Sequence, residues 1–481
     1  MTGVSLYTRA PELSNDMAEV LRLFLGGISL YVNQPGGDFS ITHTEAETEG
    51  VRVVRVTDGA HIHETREAIT GDAVVDKRLR RRQAKLGVYQ VMKARTGTTP
   101  PWGSLTGIRP TRLLYANLEK GRTMDEAAAE LRRVFDVSAE KTEVLCRIVA
   151  VQREMTLPAD DEADIYIGIP FCTTRCAYCS FLSGEVGSGK LLAPYVEALC
   201  REIDAVQALL KDTGLRPRAF YMGGGTPTAL PADLLRRVLR KAAPLMQPCR
   251  EITVEAGRPD TIDREKLQAL LEAGVSRISV NPQTMHDQTL ARIGRRHTAA
   301  QTEAAFRLAR QMGFHHINMD LIAGLPGEDL SMFRQTLAWV GGLAPESMTV
   351  HTLSIKRSSL LHLWQAQLPE GEMVADMVRA GAEAARSMGM RPYYLYRQKY
   401  MAGNQENVGY ALPGQECLYN VDMMEETAHV IALGAGAASK RLFPRQGFIR
   451  RAYNVSDICQ YIQRVEEMAQ RKRALFLGGG E

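Results

Sequence analysis

The chain has 481 residues, 45% of them apolar, and a formal charge of +4. That length holds about two to four domains and a large core, and the charge is too small to argue for a nucleic-acid partner. No apolar run is long enough to span a membrane and the first residues (MTGVSLYTRAPELSND) lack the apolar centre of a signal peptide, so a cytoplasmic protein without a membrane partner is expected.

Residues 1–158 read as an accessory α+β and helical domain. Met17 to Leu25 is apolar at helical spacing, and Phe39–His43 and Val51–Val56 alternate as half-buried strands. A basic helix follows with Lys77, Arg78, Arg80, Arg81, Arg82 and Lys85. Without interleaved aromatics it reads better as a solvated face than as a phosphate site. Pro100–Arg112, carrying Trp102, is turn-rich, and helical patterns cover 125–135 and 139–155. Pro158 with Asp160, Asp161, Glu162 and Asp164 is expected to link to the next domain.

From 159 to 390 strand and helix alternate about six times. Strands are expected at Ile165–Ile169, Ala219–Met222, Glu251–Glu255, Arg277–Val280, His316–Ile322 and Ser347–Ile355, with a helix after each. Such repetition implies a parallel sheet with right-handed crossovers, doubly wound or a barrel. Polar or glycine-rich residues at nearly every strand end (Cys172–Cys179, Gly223–Thr226, Glu255, Gln283, Asp320, Thr352–Ser354) favour a barrel, whose C-terminal strand ends converge on one face. Residues 391–481 read as an α-rich extension over the barrel mouth. It contains a tyrosine-rich run (Pro392–Tyr400) and GAGAAS (Gly434–Ser439), which lacks the third glycine of a dinucleotide loop and reads as close packing.

Of the eight cysteines, Cys172, Cys176 and Cys179 lie within eight positions; Cys146, Cys200, Cys249, Cys417 and Cys459 are scattered and read as packing residues. Clustered thiols in so long a chain point to metal or redox chemistry rather than to a disulfide framework. No second CxxC follows to complete a zinc ribbon, so an iron–sulfur cluster with three protein ligands and one open iron fits better.

The Cys-x3-Cys-x2-Cys spacing of CTTRCAYC, with an aromatic before the last cysteine, resembles the radical S-adenosylmethionine (SAM) superfamily. YIGIPFCTTRCAYCSF, MGGGTPT, ISVNPQTM, IGRRHT and DLIAGLPGE narrow the resemblance to the oxygen-independent coproporphyrinogen III dehydrogenase family. VEAGRPDT, QENVGYALPG and the long N-terminal extension are most similar to its extended, HemZ-like branch. The resemblance implies a partial (β/α)6 barrel of the α/β class. Cys172, Cys176 and Cys179 would bind a 4Fe-4S cluster, and SAM would chelate the open iron. Reductive cleavage of SAM would give a 5′-deoxyadenosyl radical that abstracts hydrogen from a propionate side chain. Loss of carbon dioxide and one electron would leave a vinyl group, twice per molecule, giving protoporphyrinogen IX. The partners implied are a tetracarboxylate porphyrinogen and a low-potential electron donor.

By the same resemblance, Tyr166, Tyr178, Gly224, Gly225, Thr226 and Glu255 contact SAM, and Gln283, Arg295 and Asp320 surround a second SAM or a substrate carboxylate. Asp320 also reads as a helix cap or ion pair, and Thr352 and Ser354 match more weakly. Lys356, Arg357, Arg397 and Lys399 are candidates for the substrate's carboxylates, though most such residues are surface charges. Gly168 stands where the family often has histidine, and Phe181 where some members carry a fourth, non-ligating cysteine. Glu406–Asn407 replaces the histidine–asparagine pair typical of the related haem-chaperone branch. That weakens a haem-carrier reading; a radical SAM enzyme with another substrate is the remaining alternative.

Overall fold

The computed structural model describes residues 2–107, 109–179, 184–355, 359–363, 368–399, 401–444 and 446–478. They form two compact units, residues 1–146 with 398–400, and 147–397 with 401–481.

The first unit is built on a five-stranded sheet. Strands β1 (Thr2–Thr8), β2 (Ile28–Val32), β3 (Phe39–Thr48), β4 (Val51–Thr57) and β5 (Ile62–Ala68) lie in the order β2-β1-β3-β4-β5. Glu49 and Gly50, both at positive φ, make the two-residue turn between β3 and β4. Helices Ser14–Leu25 and Ala73–Thr96 bury Met17, Leu21, Val88 and Met92 against Val4, Leu6, Ile41 and Val56. The basic run lies on the second of these helices, and four of its charges, those of Arg80, Arg81, Arg82 and Lys85, are met within the unit. Arg80 pairs with Glu45 and with Glu12, Arg82 with Glu67 at 2.5 Å, and Lys85 with Asp16 and Glu19 at 3.2 and 3.1 Å. These cations are structural. Trp102 is fully buried, and a capping box at Thr123 and Glu126 starts helix Met124–Phe135.

The second unit carries an eleven-stranded sheet. Its central strands are β6 (Glu162–Ile169), β9 (Arg216–Gly224), β10 (Glu251–Gly257), β11 (Arg277–Val280), β12 (Ile317–Ala323) and β13 (Ser347–Thr352); a short pair, β7 (Phe171–Cys172) and β8 (Gly184–Glu185), sits in the cysteine loop. The six central strands are parallel and neighbours in chain order. That order belongs to a βα barrel; a doubly wound sheet reverses at a switch point. Helices Leu192–Thr213, Ala232–Met246, Arg264–Glu272, Ala299–Met312, Leu330–Leu343 and Gly371–Ser387 follow the six strands, within a few residues of the sequence expectation.

The C-terminal region supplies strands as well as helices. β15 (Asn407–Ala411) pairs antiparallel with β13, and β14 (Arg391–Tyr396) pairs with β15. β16 (His429–Leu433) pairs parallel with β6 and leads to β17 (Ala438–Phe443) and β18 (Phe448–Tyr453). Helix Val465–Leu477 is fixed by a buried ion pair, Lys472 to Glu202 at 2.5 Å. Glu202 also accepts from Tyr461 Oη, Asn454 Nδ2 and Gly434 N, so its lone pairs are well used. Gly434, in GAGAAS, is at φ +98°, and a Cβ there would meet the Gly168 carbonyl at 2.3 Å. Close packing explains that glycine run.

One expectation fails in a telling way. Glu162 and Asp164 of the presumed acidic linker are inside β6, and both are buried. Arg218 of β9 explains Glu162, lying 3.5 Å from it while donating Nε–H to Asp422 at 2.8 Å. Asp164 has no salt-bridge partner among the described residues; burial, then the neighbouring Asp422, pushes its carboxyl well above the usual range.

Candidate active site

The C-terminal ends of β6 and β9 are held together by main chain. Gly225 N donates to Ile169 O at 2.8 Å and Thr226 N to Phe171 O at 2.8 Å. The glycines are required by this closeness. A Cβ on Gly225 would lie 2.6 Å from the Phe171 carbonyl oxygen, Gly224 sits at φ +105°, and a Cβ on Gly223 would strike the Glu255 carboxylate at 2.8 Å. GGGT therefore brings Thr226 Oγ1 to 3.6 Å from Cys172 Sγ.

The cysteine loop is gripped from two further strands. After β11, Gly294 O accepts from Thr174 Oγ1 at 3.1 Å and Ile293 O from Ala177 N at 2.9 Å. Cys179 N donates to Cys176 O at 3.0 Å, closing the turn that carries Tyr178. Arg295, 8% exposed, donates to the Asn281 carbonyl at 2.9 Å and to Tyr178 Oη at 3.1 Å, and it also interacts with Cys176. The carbonyl and the phenol are uncharged acceptors, and Arg295 has no carboxylate partner among the described residues.

Glu255, two residues before the end of β10, faces the same space. It accepts from Tyr221 Oη at 2.6 Å, and burial, reinforced by Asp320, raises its carboxyl to about 7. Tyr221 stacks on Tyr419 with centroids 4.4 Å apart, and Tyr419 stacks on Tyr166 at 6.0 Å. Asp320 on β12 accepts from Asn318 Nδ2 at 2.7 Å and lies 3.7 Å from His351 Nε2; these contacts hold its carboxyl below the usual range against its burial. Gln283 takes a left-handed φ of +67°, fixed by main-chain bonds to Asp320 O and Ile322 N, and its Oε1 is buried without a partner.

The six residues expected on SAM, the three expected around a second SAM or a substrate carboxylate, and the three cysteines thus lie on β6, β9, β10 and β12 or on the loops that follow β6, β9 and β11. Thr352 differs. Its hydroxyl donates to Glu406 O at 2.7 Å and its N–H to Asn407 Oδ1 at 2.8 Å, so it ties β13 to β15. Ser354 bridges to Met401. Arg397 is not a surface charge: it is 5% exposed, donates to Asn404 at 2.7 Å, and burial lowers it to about 10. Lys399 pairs with Glu19 at 2.6 Å. Phe181, Lys356 and Arg357 lie outside the described residues.

Sequence reasoning missed Tyr221, Tyr419, His351 and Arg258. Tyr221 was within reach, because it stands two residues before GGGT on the same strand; Tyr419 comes from a distant helix and carries no local signal.

The donor set fits an anionic, chelated cofactor. Three thiols share one loop, and among the described residues a buried guanidinium has no carboxylate partner and a buried amide oxygen has no donor. Among the described residues no three His, Cys, Asp or Glu side chains close on a single ion. When bound, a cluster and SAM supply a carbon radical able to abstract hydrogen.

Comparison with known proteins bears on the same region. A family model described as the radical SAM superfamily matches residues 166–340. The oxygen-independent coproporphyrinogen-III oxidase-like protein HemZ of Bacillus subtilis is 38% identical over 477 residues, covering 96% of this chain and 95% of that protein. The heme chaperone HemW of Haemophilus influenzae is 28% identical over 292 residues, 60% of this chain and 73% of its own. Among solved structures, coproporphyrinogen III oxidase (HemN) from Escherichia coli, a radical SAM enzyme, superposes with a TM-score of 0.52 at 20% identity, covering 71% of this chain and 79% of that one. It shares the fold.

Proposed function

The chain belongs to the radical SAM superfamily and, within it, to the family of oxygen-independent coproporphyrinogen-III oxidase-like proteins; from that premise we propose that it oxidatively decarboxylates two propionates of coproporphyrinogen III to vinyl groups in the cytoplasm. Its cofactors are a 4Fe-4S cluster and SAM. The observation that carries the reading is the convergence on one strand-end face of three loop cysteines, the GGGT main chain, Glu255 and an Arg295 with no carboxylate partner among the described residues.

Cys172, Cys176 and Cys179 would hold the cluster. Main chain at Gly224 and Gly225, with Thr226, binds the amino-acid end of SAM. Glu255 accepts from ribose hydroxyls, and Tyr166 and Tyr178 pack beside the ligand. Arg295 meets a carboxylate in a fork. Gln283 and Asp320 complete the wall, where a second SAM or a substrate propionate binds. The stacked Tyr166, Tyr221 and Tyr419 keep water from that wall, which a radical reaction requires. A low-potential donor supplies the electron.

The HemW relatives raise a haem-carrier reading. Against it, Glu406 is 2% exposed and offers no imidazole, and Asn407 is spent on the Thr352 amide. Anaerobic incubation with coproporphyrinogen III, SAM and reductant, read by mass analysis, tests the proposal. A product lighter by two carboxyl losses is expected. Unchanged porphyrinogen beside steady 5′-deoxyadenosine formation would assign the radical chemistry to another substrate.

A further inference from the structure

The residue that follows β10 reaches back into the cysteine loop. Arg258 is 3% exposed, and its Nη1–H groups point to Thr174 O at 3.1 Å and Thr174 Oγ1 at 2.9 Å. Its Nε and Nη2 face Asp260 at 3.1 and 3.2 Å, and Asp260 also accepts from Thr173 Oγ1 at 2.9 Å. Thr173 and Thr174 are the residues between the first two cysteines, apart from Arg175. The ion pair therefore clamps the stretch that sets their separation. Arg258 Nη1 also stands 3.9 Å from Cys176 Sγ, at the long end of an N–H···S contact. Arg295 interacts with the same sulfur. One thiol is thus flanked by two buried guanidinium groups, one balanced by Asp260 and one with no carboxylate of its own.

We propose that Arg258 is a positioning residue that sets the reduction potential of the cluster: it fixes the loop between Cys172 and Cys176 and holds a cationic N–H donor at the Cys176 sulfur, with Asp260 moderating its charge. This rests on the reading of the three cysteines as cluster ligands. Gaining an electron adds negative charge to the cluster and its sulfurs, so a nearby cation and N–H donor favour the reduced form. Arginine suits the position because its planar fork serves the loop, the sulfur and the carboxylate together, which a lysine ammonium cannot do.

The two members of the pair should act in opposite directions. Arg258→Met and Asp260→Asn are reconstituted anaerobically beside wild type, and each cluster is titrated without SAM or substrate, followed by the paramagnetic signal of its reduced form. Arg258→Met is expected to shift the reduction equilibrium about tenfold toward the oxidised cluster, equivalent to about 59 mV for a one-electron couple. Asp260→Asn is expected to shift it toward the reduced cluster. A residue that merely props the loop would not give opposite signs. If Arg258→Met takes up no iron, Asp260→Asn decides: an easier reduction upholds the inference, and an unchanged or harder one overturns it. Wild-type potentials in both loaded variants overturn the inference alone. Wild-type protein that binds no cluster overturns the cysteine reading, and this inference with it.

Discussion

The two ends of the barrel both bury charge, and they treat it differently. At the N-terminal strand ends, Arg218 has Asp422 at 2.8 Å and Glu162 at 3.5 Å, Arg277 has Glu251 at 3.7 Å, and Arg250 has Glu162 at 3.0 Å. The leftover acid, Asp164, is pushed toward its neutral form. That end is electrostatically closed. At the C-terminal strand ends Arg295 is as thoroughly buried, yet its partners are a carbonyl, a phenol and the Cys176 thiol, with no carboxylate among the described residues. Charge balanced inside the chain is structure, whereas charge left open asks for a ligand, and in a βα barrel the open end is where the chemistry belongs.

The largest effect should come from the open end's own ligands. Cys176→Ala is expected to abolish both iron retention and SAM cleavage after reconstitution, while the cluster-free protein keeps its fold by circular dichroism. Iron bound at the wild-type ratio with SAM still cleaved would remove the cysteine from the ligand set.

At the closed end, Arg218→Met leaves Asp422 and Glu162 buried without their cation. Breaking a buried pair on one side costs about 3–5 kcal/mol, so the denaturant midpoint should fall sharply. SAM cleavage per loaded molecule should stay near wild type. A midpoint unchanged within error would show that the closed end is not held by this pair.

A smaller effect is expected from Glu255→Gln. Folding raises the Glu255 carboxyl to about 7, so its contribution is fully present below about pH 4.5 and lost as pH rises through 7. The wild-type, cluster-free protein should lose thermal stability between about pH 4.5 and 7, and the variant should lose less. With the cofactors bound, a weaker ribose contact should raise the SAM requirement by roughly tenfold, about 1.4 kcal/mol. Parallel melting curves for the two proteins across that range would remove the buried carboxyl from the account.

Most of the barrel was legible because β6 and β9–β13 alternate with helices of strong apolar period, and because motif residues stand at strand ends. The three cysteines and GGGT were legible for a local reason: both depend on spacing along the chain. What sequence hid was long-range. Glu162 and Asp164 look like linker acids until Arg218, over fifty residues away, is seen beside them. Tyr419 joins Tyr221 and Tyr166 through a helix from the far end of the unit. Arg258 reads as an ordinary charge in VEAGRPDT, and only the fold brings it to Thr174 and Cys176. Pairing between distant strand ends leaves no periodic trace in the chain.

The contrast between the two ends is tested most directly by the unfolding free energy of cluster-free Arg295→Met. If the guanidinium's countercharge comes from a ligand, removing it relieves an unbalanced buried cation, and stability should hold within about 1 kcal/mol of wild type or rise. A loss as large as that of Arg218→Met would mean that Arg295 is already balanced within the chain, and the open end would not be open.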